Sequence, residues 1–404
     1  MTGHFLSDFR SSVVPDPSSS GFHQMSRLRI GMVTHYMPPH MGGIEIIGEG
    51  LFRAYRKAGC EVKWIASRVP PETLESENGK VRVKCWNVLE RLLGVPWPVW
   101  APSSLSQLTR IIHWADVLHI HDCLYFGSVL TTVLARRVRK PVLLSQHIGE
   151  IEYPSRILNV FARLAYRSLG KWVLRKASHV VYCTPFVEHF VEDCLGLSLK
   201  KSSCIPLGVD TSRFRPPSPG ERKRSRLYFG LPDQKKVVLF VGRLLEKKGA
   251  RLFQEVARRS QGYHFFMVGD GPLRPIPQTN LTWVPVVKPE QMEFVYQSAD
   301  AFLLPSSSEG FPLSVMESMS SGIPVIINKK LPIFSQLEGK GFCLAAEPLP
   351  HSFCETLKYL MDSSPLAFTL GRQSRRLAEQ EFGIDTMSAR YLGLILSIGS
   401  LNRT

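Results

Sequence analysis

The sequence predicts an α/β protein of two domains, each built around a parallel sheet. Its 404 residues are too many for one ordinary hydrophobic core and suit two domains of about 150–200 residues each. Short apolar strands alternate with helical segments along both halves of the chain, which is the pattern of βαβ units. Hydrophobic residues make up 44% and charged residues 21%, so the composition excludes a disordered or a collagen-like chain.

The first half opens on a strand–turn–helix–strand unit. Residues 28–34 form a short apolar strand, a turn with Gly42 and Gly43 follows, and a helix is expected from about 44 to 58. Gly59 ends that helix. The remaining strands of this half are predicted at residues 61–66, 116–121, 141–147 and 178–182.

The second half repeats this alternation after residue 210. Residues 215–226, rich in proline and basic side chains, are interpreted as linker and exposed surface. Parallel sheets bind ligands at the carboxyl ends of their strands, so the two halves are expected to face each other across a ligand-binding cleft. Strands are predicted at residues 236–242, 263–269, 301–305 and 324–327, and helices near 250–259 and 313–321.

The N-terminus, the apolar runs and the cysteines bear on location. Residues 1–27 lack the apolar core of a signal peptide and are predicted to be a flexible leader, with Met25 as an alternative start. No run of about 18 apolar residues occurs, so no membrane-spanning helix is expected. The eight cysteines form no CxxC pair and are interpreted as reduced core thiols. These features predict a cytoplasmic protein.

The chain is strongly basic, with a formal net charge of +16 and a pI of about 9.6. Nucleic acid, an anionic membrane and a phosphorylated substrate are all compatible with that charge. No zinc-finger, RNP-like or helix-turn-helix signal occurs and the basic residues are dispersed, so nucleic acid is not expected. The other two partners stay open.

One segment suits the membrane alternative. Projected as one continuous helix, residues 156–176 place five basic side chains within an arc of roughly 120° and apolar ones on much of the other side. Such a helix either lies on an anionic bilayer or covers a packed core, and the pattern fits both. The basic residues are Arg156, Arg163, Arg167, Lys171 and Arg175, and the apolar ones are Ile157, Leu158, Phe161, Ala165, Leu169 and Trp172.

The most informative motif is PSSSEGFPLSVME at residues 305–317. A strand ends at its first residue, a loop presents Glu309, and a helix begins near Pro312 or Leu313, because proline is tolerated in a first helical turn. The unpaired N–H groups of that turn suit a phosphate. Glu317 lies just over one turn into the helix, where its carboxylate can accept hydrogen bonds from a ribose diol. Taken singly, each glutamate also fits a surface position or a favourable helix-dipole position.

Two further turns carry features of a phosphate site. In VGRLLEKKG at residues 241–249, Arg243 and Lys248 follow a strand and can neutralise a diphosphate, although a solvated basic turn is the alternative. Gly42 and Gly43 allow close backbone approach to a phosphate at a helix N-terminus. The chain has no GxGxxG motif in these turns, which argues against a dinucleotide-dependent dehydrogenase.

Three histidines stand on predicted strands. His119 and His121 alternate on one strand and point to the same side. His121 is nearer the carboxyl end, where it could bond a sugar hydroxyl or offer its backbone carbonyl to a developing positive charge. A buried structural role suits His119 better, and His147 ends the next strand in a similar position. No His, Cys and carboxylate set has metal-ligand spacing, so no metal is expected.

Taken together, these motifs resemble glycosyltransferase family 4, a large family of retaining glycosyltransferases with the GT-B fold. The resemblance runs from about residue 28 to the end of the chain. Its most specific part is the stretch from Glu309 to Glu317, followed by SGIPV at 321–325. Supporting strings are GGIE at 42–45, DVLHIH at 116–121, IPLGVD at 205–210, VGR at 241–243 and VGDGP at 268–272.

The resemblance implies the GT-B fold, with two Rossmann-like domains facing across a cleft. It implies an acceptor-side domain at residues 28–205 and a nucleotide-sugar-binding domain at 206–380. Residues 381–404 resemble the terminal helix that returns to the first domain in this family.

The resemblance also implies the reaction. It indicates a retaining, hexosyltransferase-type glycosyltransferase (EC 2.4) that takes a sugar from a UDP- or GDP-sugar to a glycan or a lipid-linked acceptor, in polysaccharide or glycolipid biosynthesis. No cofactor or metal is expected. Retention is commonly explained by front-face attack in which the leaving phosphate takes the acceptor proton, so no separate general base is needed.

The roles implied for individual residues follow the motifs. Leu207 stands where Asn is common and Ser318 and Ser320 where Ala is common, which leaves the implied ligands unchanged. Arg243 and Lys248 would hold the diphosphate, Glu317 would hold the ribose and Glu309 the donor sugar. The backbone at Phe311, Leu313 and Ser314 would contact the sugar and the phosphate. Gly42 and Gly43 would approach the donor from the first domain.

Two other functions share these motifs. A sugar-nucleotide epimerase of GT-B shape would use the same nucleotide site without an acceptor. A catalytically inactive homologue would act as a scaffold, but Arg243, Lys248, Glu309 and Glu317 are all present, which argues against it.

Overall fold

The computed structural model describes residues 28–40, 42–68, 78–88, 97–149, 155–307, 309, 312–331 and 341–400. The leader predicted at 1–27 and the predicted donor-binding residue Phe311 lie outside these ranges. The described residues divide into two compact units. The first contains the chain up to Leu207 and again from Ile384 onward, and the second is Gly208–Gly383. The sequence predicted domain boundaries after residues 205 and 380.

The first unit is built on a seven-stranded parallel sheet. Its strands are β1 (Arg29–Val33), β2 (Glu61–Ser67), β3 (Lys80–Val83), β6 (Val117–His121), β7 (Val142–Gln146), β8 (His179–Tyr182) and β9 (Ser202–Cys204), and a short antiparallel pair consists of β4 (Cys85–Trp86) and β5 (Val99–Trp100). The strand order is β3-β2-β1-β6-β7-β8-β9. The order reverses between β1 and β6, and sheets of this kind bind ligands at the carboxyl ends beside such a reversal.

Helices connect these strands, and apolar residues fill the space between helices and sheet. The described helices of this part are α1 (Gly43–Lys57), α2 (Ser104–Trp114), α3 (Phe126–Arg137), α4 (Arg156–Ala165), α5 (Lys171–Lys176) and α6 (Pro185–Leu195). Trp100 is buried, and its indole N–H donates to Ser67 Oγ at 2.8 Å. The indole N–H of Trp97 donates to the carbonyl oxygen of Leu124 at 2.7 Å. The two indole groups therefore anchor the segment from Trp97 to Trp100 to this unit.

Residues 156–176 are helical throughout, as predicted, but their projection with a single period is wrong, because a π-helical turn at Tyr166–Gly170 lies between α4 and α5. A π turn contains more residues than an α turn, so it rotates the residues after it relative to those before it. No residue of α4 is buried, whereas Val173 and Leu174 of α5 lie in the core. One helical projection therefore could not describe both parts.

The second unit is built on a six-stranded parallel sheet. Its strands are β10 (Val237–Val241), β11 (His264–Val268), β12 (Leu281–Val284), β13 (Ala301–Leu304), β14 (Val325–Asn328) and β15 (Cys343–Ala346), in the order β12-β11-β10-β13-β14-β15. The described helices are α7 (Pro219–Tyr228), α8 (Ala250–Arg259), α9 (Met292–Gln297), α10 (Leu313–Ser320), α11 (Pro350–Asp362) and α12 (Ser364–Glu381). The strand order reverses here between β10 and β13.

The interpretation of residues 215–226 as linker is wrong from Pro219 onward, where α7 begins, and the interpretation as exposed surface is wrong at Ser225 and Arg226, which are buried. Ser218 caps this helix, and its hydroxyl accepts from the N–H of Glu221 while that glutamate accepts from the Ser218 N–H. The pattern is a capping box, a local signal that was readable in the sequence. Arg226, within the basic run, is only 5% exposed and pairs with Asp300 at 2.6 Å.

The last described helix, α13 (Ile384–Ser400), belongs to the first unit. Ile384 lies so close to Gly50 of α1 that a Cβ on that glycine would be 2.7 Å from Ile384 Cδ1. Tyr391 is buried, and Ser145 on β7 donates a hydrogen bond of 2.9 Å to its hydroxyl. The C-terminal helix is thus packed both on α1 and against the inner strand β7 of the sheet.

Two properties of the described ranges concern location. No helix among these residues is both long and apolar enough to cross a bilayer. The cysteines that the structure describes in full are all free thiols: Cys60, Cys85, Cys123, Cys183, Cys204, Cys343 and Cys354.

Candidate active site

In the second unit, two of the predicted motifs leave the same edge of the sheet. β10 and β13 are parallel, hydrogen-bonded neighbours. The segment that follows β10 and the loop that follows β13 therefore start side by side at the carboxyl end. Arg243 and Lys248 lie in the first segment and Glu309 in the second. The topology brings together motifs that stand 61 residues apart.

Lys248 and Glu309 form an ion pair with Nζ 2.5 Å from Oε1. The side chain of Glu309 is 9% exposed and that of Lys248 25%. Ser306 Oγ lies 3.1 Å from the same carboxylate oxygen and 2.8 Å from the carbonyl oxygen of Lys247. A cation and a hydroxyl therefore fix the orientation of the Glu309 carboxylate.

Gly249 allows the two loops to approach this closely. Its φ is +74°, and a Cβ at this position would lie 2.4 Å from the carbonyl oxygen of Pro305. Only glycine adopts that conformation without strain and leaves that space free. The short 3₁₀ turn Glu246–Lys248 ends at Gly249, and the Ser307 N–H donates to the carbonyl oxygen of Lys247 at 2.8 Å. The turn that carries Lys248 is thus fastened to the loop that carries Glu309.

Arg243 is exposed, and its side chain makes no hydrogen bond or ion pair with any residue that the structure describes. Its backbone is held by the turn that follows β11. The Leu244 N–H donates to the carbonyl oxygen of Asp270 at 2.9 Å. A Cβ on Gly269 would lie 2.0 Å from the carbonyl oxygen of Gly242. The second turn therefore fixes the backbone of Arg243 and leaves its guanidinium group available.

Glu317 lies on α10, which begins at Leu313 and has no side-chain cap at its N-terminus. Leu313 and Ser314 form its first turn and are partly buried. The Tyr296 hydroxyl donates to Glu317 Oε2 at 2.5 Å. Burial raises the pKa of Glu317 to about 7, against the opposing effects of the Tyr296 hydrogen bond and the charge of Arg213. Additional hydroxyl donors, such as those of a ribose, would favour the ionised carboxylate.

In the first unit, His121 ends β6 and is fully buried, as is His119. The two ring nitrogens of His119 contact Tyr55 and Ser145, which is the hydrogen-bonded core role that suited His119 better than His121. His121 Nδ1 lies 2.8 Å from His147 Nε2, and the two rings are stacked with centroids 5.1 Å apart. Burial and the neighbouring histidines His119, His147 and His35 hold the pKa of His121 well below its usual value. The buried ring is therefore neutral, and its Nε2 has no partner among the described residues.

Gly42 is the N-cap of α1 and Gly43 its first residue. The carboxylate of Glu45 folds back over this turn, and a Cβ on Gly42 would lie 2.2 Å from Glu45 Oε2. Glu45 Oε1 is 2.8 Å from His40 Nδ1 and 3.4 Å from His35 Nε2. The position at which the sequence suggested a phosphate therefore already has a protein carboxylate beside it.

Several functional candidates escaped the sequence reasoning. Tyr296 contacts Glu317 across 21 residues of chain, and no local pattern indicates such a contact. Ser306 lies three residues before Glu309 in the same motif, so its hydroxyl could have been considered. Asp122 follows His121 directly, and burial raises its pKa to about 7.

Metal-ligand groups and cavities are the remaining features of the described residues that bear on a site. No group of three or more His, Cys, Asp and Glu side chains among them is placed to hold a metal ion. A cavity of about 440 Å³ lies in the second unit between α7 and α9. Its lining includes Arg213, Arg224, Tyr228 and Phe294 but none of the predicted site residues.

The comparisons with known proteins agree with this architecture. Residues 41–213 match the family described as Glycosyltransferase Family 4, and residues 221–377 match the family described as Glycosyl transferases group 1. The two matches follow one another along the chain. The protein belongs to this family of glycosyltransferases.

Individual relatives and solved structures fit the same class. The alpha-galactosylglucosyldiacylglycerol synthase of Streptococcus pneumoniae is 27% identical over 286 residues, 62% of this chain and 73% of that protein. The sulfoquinovosyl transferase SQD2 of Arabidopsis thaliana is 34% identical over 236 residues, 56% of this chain and 44% of that protein. The crystal structure of Anabaena Alr3699/HepE in complex with UDP and glucose has a TM-score of 0.72 at 14% identity and covers 92% of this chain and 100% of that one. The fold is GT-B, with one Rossmann-like domain in each unit.

Proposed function

We propose that this glycosyltransferase acts with retention, moving a hexose from a UDP- or GDP-sugar to a glycan or lipid-linked acceptor. The observation that carries the proposal is the Lys248–Glu309 pair, in the same segment as an exposed Arg243 whose side chain has no partner among the described residues. In this pair, a carboxylate that can accept hydrogen bonds from sugar hydroxyls lies next to a cation that can bind a phosphate.

The diphosphate of the donor is assigned to Arg243 and Lys248. Negative charge grows on the leaving phosphate as the bond to the sugar breaks, and fixed cations stabilise that charge. Arg243 is available to bind a diphosphate because no described side chain occupies its guanidinium group. These two residues supply the positive charge, so donor binding is proposed to need no metal and no cofactor.

The sugar and the nucleoside are assigned to the two glutamates. Glu309 is held by Lys248 and Ser306 and can accept hydrogen bonds from sugar hydroxyls. Glu317, already bonded to Tyr296, can accept from a ribose diol. The open N-terminus of α10 at Leu313 and Ser314 suits a phosphate oxygen, since its first N–H groups and its dipole favour an anion.

The proposed reaction is a front-face substitution. The bond between the anomeric carbon and the phosphate oxygen breaks, and the acceptor hydroxyl forms the new bond on the same face. The acceptor proton passes to the departing phosphate oxygen, so the products are the glycosylated acceptor and a nucleoside diphosphate. No protein base has to take that proton. His121 is neutral and buried, and we assign it a positioning role within the first unit rather than a role in proton transfer.

The acceptor and the location are part of the same proposal. The Streptococcus pneumoniae relative is named for a diacylglycerol glycolipid, which supports a lipid-linked acceptor for this chain. A formal net charge of +16 supports attraction to an anionic surface. We propose a cytoplasmic enzyme of glycolipid or polysaccharide biosynthesis that associates peripherally with the inner face of the membrane.

A donor screen tests the proposal. The purified chain is incubated with UDP- and GDP-sugars in the presence of EDTA, and thermal stabilisation and slow release of nucleoside diphosphate are measured. One donor is expected to raise Tm and to be hydrolysed. Failure of every donor to bind, with Arg243 and Glu309 intact, would overturn the assignment. A donor that turns over only when EDTA is omitted would refute the metal-free mechanism.

A further inference from the structure

The cavity between α7 and α9 is separate from the proposed donor site, although both belong to the second unit. Its volume of about 440 Å³ is typical of sites for small molecules. Helix α7 leads into β10 and α9 leads into β13, so the last turns of both helices lie toward the amino ends of these strands. The proposed donor site lies at the carboxyl ends of the same strands. A ligand in the cavity would therefore leave the donor site open.

Arginine side chains give the cavity a positive charge. Arg213 pairs with Glu293 at 2.6 Å, and Arg215 pairs with Glu221 at 2.6 Å. Arg224 is exposed on α7, and its guanidinium group has no partner among the residues that the structure describes. A free guanidinium group binds a phosphate through two parallel hydrogen bonds. The part of a ligand that lies at Arg224 is therefore expected to be a phosphate.

Two aromatic rings form an apolar part of the same lining. Tyr228 is 59% exposed and Phe294 is 38% exposed, and their ring centroids lie 6.4 Å apart. The hydroxyl of Tyr228 accepts a hydrogen bond of 2.6 Å from Gln291 Nε2, which fixes the ring although it is exposed. A fixed, exposed aromatic ring offers its face to a flat ring, and nucleobases stack on such side chains without regard to sequence.

A buried amide also faces this cavity. Gln297 is 5% exposed, and its Oε1 accepts from Ser225 Oγ at 3.3 Å. Its amide N–H groups have no partner within the described part of the chain. Buried polar groups in proteins are nearly always hydrogen-bonded. An acceptor on a ligand, such as the carbonyl oxygen or a ring nitrogen of a nucleobase, would satisfy them.

Helix α9 connects the cavity with the donor site. Phe294 and Gln297 line the cavity, whereas Tyr296 between them donates to Glu317. Arg213 lines the cavity as well, and its charge lowers the pKa of Glu317. An anion bound beside Arg213 would offset that charge and disfavour the ionised carboxylate. Since the ionised form is the one suited to a ribose diol, occupation of the cavity should oppose donor binding.

We propose that this cavity is a regulatory site for a nucleoside phosphate, with the phosphate on Arg224 and the base on the ring of Tyr228, and that its occupation weakens binding of the sugar donor. The second part rests on the proposed transferase function, and the first part does not. The whole lining selects this class of ligand, because inorganic phosphate would leave the rings unused and an uncharged nucleoside would leave Arg224 unused.

Calorimetric titration of the full chain carrying Arg243→Ala tests the site, because that substitution weakens the proposed donor site. The probes are AMP, CMP, GMP and UMP, each compared with its nucleoside and with ribose 5-phosphate. Arg224→Ala and Tyr228→Ser are the test variants. Lys223→Ala and Tyr359→Ser are matched controls, because Lys223 is an exposed cation of α7 outside the lining and Tyr359 on α11 is 63% exposed.

The proposal expects one or more of the monophosphates to bind at a single site. Either test variant should raise the Kd about tenfold or more, and neither control should change it. Failure of all four monophosphates to bind would overturn the proposal, as would an equal loss of affinity with Lys223→Ala. Ribose 5-phosphate that binds as tightly as the monophosphate would show that no base is recognised, which would overturn the assignment to a nucleoside phosphate.

Donor hydrolysis by the chain with Arg243 intact tests the coupling. The monophosphate is expected to inhibit hydrolysis, and Arg224→Ala should raise the concentration for half inhibition about fivefold or more, whereas Lys223→Ala should not. Inhibition that Arg224→Ala leaves unchanged would be competition at the donor site and would overturn the coupling.

The same measurements separate this proposal from the transferase function. If the chain binds a monophosphate through Arg224 but binds no sugar donor, the transferase proposal fails and the nucleotide site stands. If the chain hydrolyses a donor but Arg224→Ala does not change nucleotide binding, the nucleotide site fails and the transferase proposal stands.

Discussion

The ammonium group of Lys248 lies 2.5 Å from the carboxylate of Glu309, although 61 residues separate them in the chain. The pair forms because β10 and β13 are neighbours in the sheet and because Gly249 lets their loops meet. It joins a group suited to phosphate with a group suited to sugar hydroxyls. The bond that breaks in a nucleotide sugar lies between those two parts of the donor, so the pair defines where the reaction is expected to occur.

Replacing Arg243 by alanine is expected to lower kcat/KM by about 100-fold or more, because a fixed cation at the leaving group is lost. The free energy of unfolding should change by less than about 0.5 kcal/mol, since the side chain is exposed and unpaired among the described residues. Steady-state kinetics and thermal unfolding measure the two effects. Arg251→Ala is the control, because that arginine pairs with Glu246 at the surface. Similar kinetics for both variants would contradict the assignment.

Glu309→Ala is expected to fold and to lose most activity, because the carboxylate proposed for the donor sugar is removed. Lys248 keeps 25% of its side chain exposed, so water can solvate the ammonium group that is left unpaired. Donor affinity and turnover should be measured separately from Tm. Glu246→Ala, which removes an exposed carboxylate from the neighbouring turn, should stay close to wild type. Near-wild-type turnover of Glu309→Ala would remove this residue from the site.

Glu317 makes the stability of the free enzyme depend on pH. Its pKa is about 7 in the folded chain against 4.5 as the ordinary value. Glu317 therefore stays protonated to a higher pH in the folded chain than in the unfolded chain, and the free energy of unfolding falls as pH rises from about 4.5 through 7. Glu317→Gln removes this loss, so the variant should be more stable than wild type at pH 8, by about 1–2 kcal/mol, and similar near pH 4. Urea unfolding of both proteins across this range measures the difference.

The same substitution should weaken donor binding, because the ribose diol loses an ionised acceptor. Thermal stabilisation by the donor identified in the screen measures this effect. A stability difference that does not grow with pH would show that the pKa of Glu317 is not raised in the folded chain, because groups present in both proteins, such as Asp122, cancel in the comparison. A variant that is both more stable and fully able to bind donor would contradict the assignment of Glu317 to the ribose.

Sequence periodicity predicted both sheets because buried parallel strands are short apolar runs. The strand predicted at 236–242 is β10 at Val237–Val241, and the helix predicted near 250–259 is α8 at Ala250–Arg259. The site motifs could be placed as well, because the carboxyl ends of neighbouring parallel strands share one edge. Which strands are neighbours, and hence the pairing of Lys248 with Glu309, depends on the strand order, and periodicity does not contain that order.

The errors have equally physical causes. The segment 156–176 was projected with a single period, but the π turn at Tyr166–Gly170 changes the phase. The basic run before Tyr228 was interpreted as exposed because charged residues rarely lie inside a protein unless they are paired. Arg226 of this run pairs with Asp300, which is 74 residues away, and no local sequence pattern indicates that pair.

Gly249→Ala should destabilise the second unit by about 2 kcal/mol or more, because φ is +74° and the new Cβ would meet the carbonyl oxygen of Pro305 at 2.4 Å. Activity per folded molecule should also fall, since the turn carrying Lys248 must move away from the Glu309 loop. Gly262→Ala is the control, because a Cβ there has nothing within 4 Å. Urea unfolding and kinetics on the two variants measure both effects. An equal response of the two variants would refute the packing described for Gly249.

Arg226→Met should be the most destabilising surface-helix substitution in α7. Arg226 is 5% exposed, and its guanidinium group lies 2.6 Å from Asp300 Oδ2 and donates to the carbonyl oxygen of Ser298 at 3.0 Å. Breaking one side of a buried pair costs about 3–5 kcal/mol, and Arg222 still contacts Asp300 at 2.7 Å, so we expect about 3 kcal/mol. Arg224→Met on the same helix should change the free energy of unfolding by less than about 0.5 kcal/mol. If urea denaturation gave the same midpoint for both variants, the basic run would be exposed throughout, as its composition alone suggested.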